Sequence, residues 1–201
     1  MYIVRRAVVW LRRCRHCRGF GVQSPWAYRF VRYVINEHYP YYSYAPLRHR
    51  WGGEGRQERK MCRLYFRIAN FLQPSLAVDY SARHDIFKDH VNSGCRKTEV
   101  CLIPPCSPPG DIDVLLSRHA VIPFLRIAAE GGYQTVFAKA VSKADSRSIF
   151  VVEGINKNAA TKKFWREIVA SEQYPTTFDL YYCGIIFFNK KRYKENYIVN
   201  F

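Results

Sequence analysis

Acidic side chains are scarce in this chain of 201 residues: 16 Asp and Glu stand against 32 Lys and Arg, a formal net charge of +16. So basic a balance attracts the phosphates of nucleic acid, anionic lipid or an acidic partner, and it fits a solvated surface without any partner equally well. Long apolar runs are missing too. None reaches the roughly 20 residues a membrane-spanning helix needs, so no transmembrane segment is expected. There is no low-complexity tract and no internal repeat, which excludes fibrous and solenoid architectures. Cysteine lacks a repeating spacing. Cys14, Cys17, Cys62, Cys95, Cys101, Cys106 and Cys183 are odd in number, and with no apolar signal-peptide core at the start, reduced thiols in a cytoplasmic protein are expected.

What remains is a globular composition. Hydrophobic residues make up 48% of the chain and aromatic residues 16%, enough for a sizeable core. The positive charge is uneven. Residues 1–67 carry fifteen Lys and Arg and three acids (Glu37, Glu54, Glu58), a net +12; the remainder carries seventeen and thirteen, a net +4. The expected division is therefore a basic helical N-terminal region, residues 1–70, followed by an α/β domain, residues 71–201. In the first segment Ile3, Val4, Ala7, Val8, Trp10 and Leu11 fall at helical spacing among Arg5, Arg6, Arg12, Arg13, Arg15 and Arg18, a basic amphipathic helix. Three roles fit it: packing on the main domain, resting on an anionic surface, or targeting.

Ser24-Pro25 opens a helix, with Ser as N-cap and Pro in the first turn. An aromatic loop follows from Tyr39 to Tyr44, and Trp51-Gly52-Gly53-Glu54-Gly55 reads as a flexible linker. A helix is expected over 58–71, with Met61, Leu64, Tyr65, Ile68 and Leu72 facing inward. Strands then alternate with helices: strands at 76–80, 99–103, 122–127, 148–152, 177–182, 184–188 and 196–201, helices at 84–92, 133–143 and 159–170, and residues 111–118 compatible with either. This alternation, at spacings near 25 residues, predicts a mostly parallel sheet covered by helices, closed by partly antiparallel strands.

The order of segments carries a resemblance. Gly19-Phe-Gly-Val-Gln-Ser-Pro25, the Tyr39-Pro-Tyr-Tyr loop, Asn70-Phe-Leu-Gln-Pro74 before the first strand, Ser148-Ile-Phe-Val-Val-Glu-Gly-Ile155 and Phe178-Asp-Leu-Tyr-Tyr-Cys-Gly-Ile-Ile-Phe-Phe188 resemble small bacterial class I S-adenosylmethionine-dependent methyltransferases. The resemblance implies a Rossmann-like methyltransferase sheet, S-adenosylmethionine as cofactor and an unidentified methyl acceptor. In that family the first strand ends in an acid and a Gly-rich turn around the methionine part of the cofactor; Asp79 matches the acid, while Tyr80-Ser81-Ala82-Arg83 stand in place of the glycines. A second acid, which holds the ribose hydroxyls, belongs at the end of the second strand. Here that strand ends Cys101-Leu102-Ile103-Pro104, and Glu99 lies at its start. The resemblance thus makes Asp79, Ser81, Glu130, Gln23 and Ser24 the candidate cofactor-binding residues and names no catalytic residue. Gln23, Ser24, Tyr41 and Tyr42 belong to segments that can form a lid or pocket wall in that family.

Each candidate also has a structural reading. Asp79 can cap a helix or bond a turn. Asp85 complements a helix dipole, and His84 is a general base by type without a partner in sequence. Glu130 beside Gly131-Gly132 is a loop acid at a turn. Asn156, Lys157 and Asn158 sit where a ligand contact or a helix cap is expected. Cys14-Arg15-His16-Cys17 offers two thiolates, but Cys101 and Cys106 are wrongly spaced to complete a zinc set, so no metal is expected there. Two functions remain: methyl transfer with lowered or lost activity, or a non-catalytic module that meets a polyanion or protein partner through its basic N-terminal face. The aromatic and basic residues of 26–67 extend the second reading to single-stranded nucleic acid.

Overall fold

The structure is a computed structural model and describes residues 8–16, 21–105 and 107–201. Residues 8–12 are helical, and a short 3-10 turn follows at Cys14–His16. Helix α1, Pro25–Phe30, begins as its sequence dictates, with the Ser24 hydroxyl accepting from the Ala27 N–H; it runs on into a π-helical turn, Val31–Ile35. Helices α2, Tyr44–Arg50, and α3, Arg56–Leu72, complete the N-terminal third.

Strands and helices then alternate: β1 Leu76–Tyr80, α4 His84–Gly94, β2 Glu99–Ile103, α5 Pro109–Ser117, β3 Phe124–Ile127, α6 Tyr133–Val141, β4 Ile149–Glu153, α7 Ala159–Ala170, β5 Thr176–Asp179, β6 Cys183–Phe187 and β7 Glu195–Ile198. The ambiguous 111–118 segment is helical. The seven strands form one sheet in the order β2-β1-β3-β4-β6-β5-β7, with β6 alone antiparallel to its neighbours. The predicted mostly parallel sheet with an antiparallel closing strand is what forms.

Side-chain alternation gives the sheet two apolar faces. One face, with Ala77, Phe124, Val151, Phe178 and Ile185, packs against α1, the π turn, α3 and α4. The other, with Val78, Leu125, Phe150, Val152 and Ile186, packs against α5, α6 and α7. Residues 27–69 therefore share one core with the sheet. Burial on both faces explains the near-continuous apolar strands.

Two sequence expectations need correction. The aromatic loop holds over 39–43 but ends at Tyr44, which opens α2, a helix not expected from sequence; Tyr41 and Tyr44 pack edge-on against Phe66 at 4.9 and 5.1 Å and fold the chain back onto α3. The stretch 51–55 is a pinned turn and not a linker: the Trp51 indole N–H donates to Asp89 at 2.9 Å, and Glu54 pairs with Arg83 at 2.7 Å.

Candidate functional site

The order β2-β1-β3 places a topological switch point between β1 and β3. Open α/β sheets bind ligands at the carboxyl ends of the strands there. Two adjoining cavities occupy that edge. One, of about 490 Å³, lies between α3 and the turn 81–83, and the other, of about 320 Å³, lies over the ends of β3 and β4. Gln57, Met61, Ala128, Glu130 and Glu153 line both.

Period-two alternation sends three charged side chains to the same inner face. Asp79 is the register partner of Arg126, which is the partner of Val151, two residues before Glu153. Arg126 Nη1 donates to Asp79 Oδ1 at 3.3 Å and to Ser81 Oγ at 3.2 Å, while its Nε donates to Glu153 Oε1 at 2.7 Å. Ser81 completes the set, donating to Asp79 Oδ2 at 3.0 Å and accepting from the Arg83 N–H at 3.2 Å. The guanidinium lies over the Tyr65 and Phe87 rings, 5.1 and 5.3 Å from their centroids, and the Tyr65 hydroxyl donates to Glu153. Such a network is tolerable in a core because each charge has a partner.

Burial, with Glu58 nearby, pushes the Glu153 carboxyl up to about 8. The Arg126 bond, and the 24% of the side chain still open to the cavity, work against that rise. The direction is upward, because a carboxylate at the closed end of a strand loses most of its water.

The turn after β1 is held from outside. Arg83 pairs with Glu54 and Glu58 on the α3 side. Tyr80 points to the opposite face and is almost fully buried; its hydroxyl meets the carbonyls of Pro105, at 3.2 Å, and Gly131. The loops leaving β2 and β3 are thereby tied together. Gly132, with φ +71°, comes so close to this hydroxyl that a Cβ there would lie 3.3 Å from it.

The N-terminal segment borders the smaller cavity. Val9 lines the smaller cavity. Arg13 donates to the Asp179 carboxylate and carbonyl, each at 2.9 Å, and lies over the Tyr181 ring. Tyr181 and Tyr182, in the β5–β6 turn, line the same cavity. Tyr181 is held at φ +70°, an uncommon conformation for an aromatic residue.

Of the candidate residues, the structure brings Asp79, Ser81 and Glu130 to this edge. Glu130 lines both cavities. Gln23 is exposed and Ser24 caps α1 beside β7, and neither lines the cavities. Tyr41 packs on Phe66, and Tyr42 is exposed. Asp85 sits in the first turn of α4. Asn158 forms a capping box with Thr161, whereas Asn156 and Lys157 line the smaller cavity. Cys14, Cys62, Cys95, Cys101 and Cys183 are free thiols. Arg5, Arg6, Arg18, Cys17, Cys106 and the side chain of His84 lie outside the described residues. Among the described residues no helix is long and apolar enough to cross a membrane.

Arg126 and Glu153 escaped the sequence reading. Their signal was present: an arginine inside Phe-Leu-Arg-Ile and a glutamate closing Ile-Phe-Val-Val-Glu are charges in otherwise apolar strands.

No protein-family model and no curated protein sequence matches the chain. Solved structures match its fold. The methyltransferase PaMTH1 of Podospora anserina, solved with SAH, superposes with a TM-score of 0.53 at 11% identity, over 86% of this chain and 97% of that one. MycE, a methyltransferase of the mycinamycin biosynthetic pathway solved with Mg and SAH, gives 0.52 at 9% identity, over 98% of this chain and 58% of that one. At these identities the likeness speaks for fold and not for activity. A seven-stranded, mostly parallel sheet with antiparallel β6, flanked by helices on both faces, is a class I methyltransferase-like fold.

Proposed function

We propose that this protein keeps the methyltransferase fold without turning over S-adenosylmethionine and acts as a binding module. One observation carries the reading: the Arg126 guanidinium, bonded to Asp79, Ser81 and Glu153, fills the strand-end position beside Asp79. In the resembled family that acid faces the cofactor. Here its carboxylate already holds an arginine and a serine. The second strand ends in a buried Ile103 followed by Pro104 and offers no carboxylate for ribose hydroxyls. The residues present do not fit the cofactor. Arg12 and Arg15, exposed on the segment bordering the smaller cavity, support contact with a polyanion or an acidic partner, which would weaken with rising salt.

A second reading, retained methyl transfer, is favoured by the two cavities at the switch point and by the SAH in both neighbours. Methyl transfer depends chiefly on holding donor and acceptor in line, so the absence of an evident base does not count against it. Calorimetric titration of the full chain with S-adenosylmethionine and S-adenosylhomocysteine separates the two. No binding at millimolar ligand is expected, and micromolar binding would overturn the proposal in favour of the second reading.

A further inference from the structure

At the opposite edge of the sheet, far along the strand order from β7, the chain gathers three donor side chains with no part in the cleft. Among the described residues strand β2 pairs with β1 alone. Glu99 and Cys101 are two residues apart on it and share a face. After α5 the chain returns to that face and presents His119. The Cys101 Sγ lies 3.7 Å from His119 Nε2 and 3.9 Å from Glu99 Oε1, and the three donor atoms fall within 4.8 Å of one another. We infer that Glu99, Cys101 and His119 form a binding site for a divalent transition metal ion, with zinc the best match to the donor set.

The geometry can be tested against coordination chemistry. Zinc takes a thiolate at about 2.3 Å, an imidazole nitrogen at about 2.0–2.1 Å and a carboxylate oxygen at about 2.0–2.2 Å, so tetrahedral angles separate sulfur from either other donor by roughly 3.6 Å. The observed separations of 3.7 and 3.9 Å lie within the reach of a small side-chain adjustment. A Cys, a His and a carboxylate together suit a borderline-soft ion and not the hard ions Ca²⁺ or Mg²⁺, which take oxygen ligands. Two anionic ligands balance the dication. Glu99 is exposed and the other two half-buried, which gives the ion an entry path, and three protein ligands leave a fourth position for water or an added ligand. The Cys14-x-x-Cys17 pair, which sequence alone singled out, is remote from these three residues along the chain and supplies the control.

Cobalt(II) reports the site without reference to any activity. Titrated into the reduced full chain, one equivalent of Co²⁺ is expected to give a thiolate-to-metal charge-transfer band together with the visible bands of four-coordinate cobalt, both bleached by Zn²⁺. Cys101→Ser should abolish the charge-transfer band. His119→Ala should weaken Co²⁺ binding by at least about tenfold, the lower end of what even outer-shell changes cost. The double variant Cys14→Ser/Cys17→Ser should leave the spectrum unchanged. Glu99 is exposed and His119 half-buried, and Cys101, which packs at the margin of a core, is replaced by a side chain of nearly the same shape, so the variants are expected to fold, with circular dichroism as the check. Absence of the band, its survival in Cys101→Ser or its loss in Cys14→Ser/Cys17→Ser would overturn the inference.

Discussion

Asp79 and Arg126 are register partners on adjacent parallel strands, and they form an ion pair at 3.3 Å with the Asp79 side chain wholly shielded from solvent. Strand pairing alone sets the two Cα atoms side by side, and alternation turns both side chains to the α3 face. The pair is therefore built by the sheet itself and does not depend on a loop. An aspartate at the end of a first strand can face a ligand only if the neighbouring strand leaves it free. Here β3 supplies a permanent counter-ion, and β4 supplies Glu153 to share it.

Removing the shared cation should be costly. Arg126→Ala leaves the wholly buried Asp79 without its counter-charge and Glu153 Oε1 without the Arg126 donor, and breaking a buried pair from one side typically costs about 3–5 kcal/mol. The triple variant Asp79→Asn/Arg126→Met/Glu153→Gln removes every charge at once and should recover most of that loss, because an apolar or neutral replacement of a whole buried network is often tolerated. Urea denaturation of the two chains measures this. A triple variant no more stable than Arg126→Ala would show that the charges do not act as one unit.

Glu153 predicts a pH dependence with a definite sign. Its carboxyl is raised from the usual 4.5 to about 8, so the folded chain holds this proton more tightly than the unfolded chain does. The resulting stability is fully present below about 4.5 and is lost as the pH rises through 8. Between those limits the Tm should fall with rising pH. Glu153→Gln keeps an acceptor for Arg126 Nε and Tyr65 while removing the titration, so its profile should be flatter across the same window. Parallel profiles for the two proteins would mean that Glu153 stays ionised throughout.

Much of the architecture was legible because its signals are local. Amphipathic spacing marked α3, β-branched runs marked β4 and β6, and Ser24-Pro25 marked the start of α1. The features that were not legible are made by long-range partners. Tyr41 and Tyr44 looked like loop aromatics because Phe66 is their reason for packing. Asp79 was recognisable as an acid in the right place, but the arginine that occupies it comes from 47 residues further on. The same holds for Cys101 and His119, 18 residues apart and joined only by the path of α5.

Tyr80 offers a separate test of how the strand-end loops are held. The residue closes β1, and its hydroxyl bridges the carbonyls of Pro105 and Gly131. Tyr80→Phe keeps the ring in the core and removes only the bridge. A buried acceptor left without its donor costs about 1–3 kcal/mol, and the loss should be concentrated in the loops leaving β2 and β3. Hydrogen exchange is expected to quicken for the amides of Gly131 and Tyr133 while the β1 amides keep their protection. Uniform quickening across the sheet would instead assign Tyr80 a global packing role.

Arg13 anchors the segment bordering the smaller cavity, and its removal should free that segment without unfolding the sheet. Its guanidinium is mostly buried against Asp179 and uses both terminal nitrogens there, a fork that lysine cannot reproduce. Asp179 retains the Tyr181 N–H when Arg13 is lost, so the β5–β6 turn has a second support. The segment itself keeps the bond from the Asn200 N–H to the His16 carbonyl. Arg13→Ala should therefore speed tryptic cleavage after Arg12 and Arg15 severalfold, with only a small change in Tm, because opening free energies are local to weakly held elements. Arg13→Lys should fall closer to Ala than to the parent chain. Cleavage rates equal to the parent's in both variants would place the anchor of this segment in its apolar contacts, Val9 foremost.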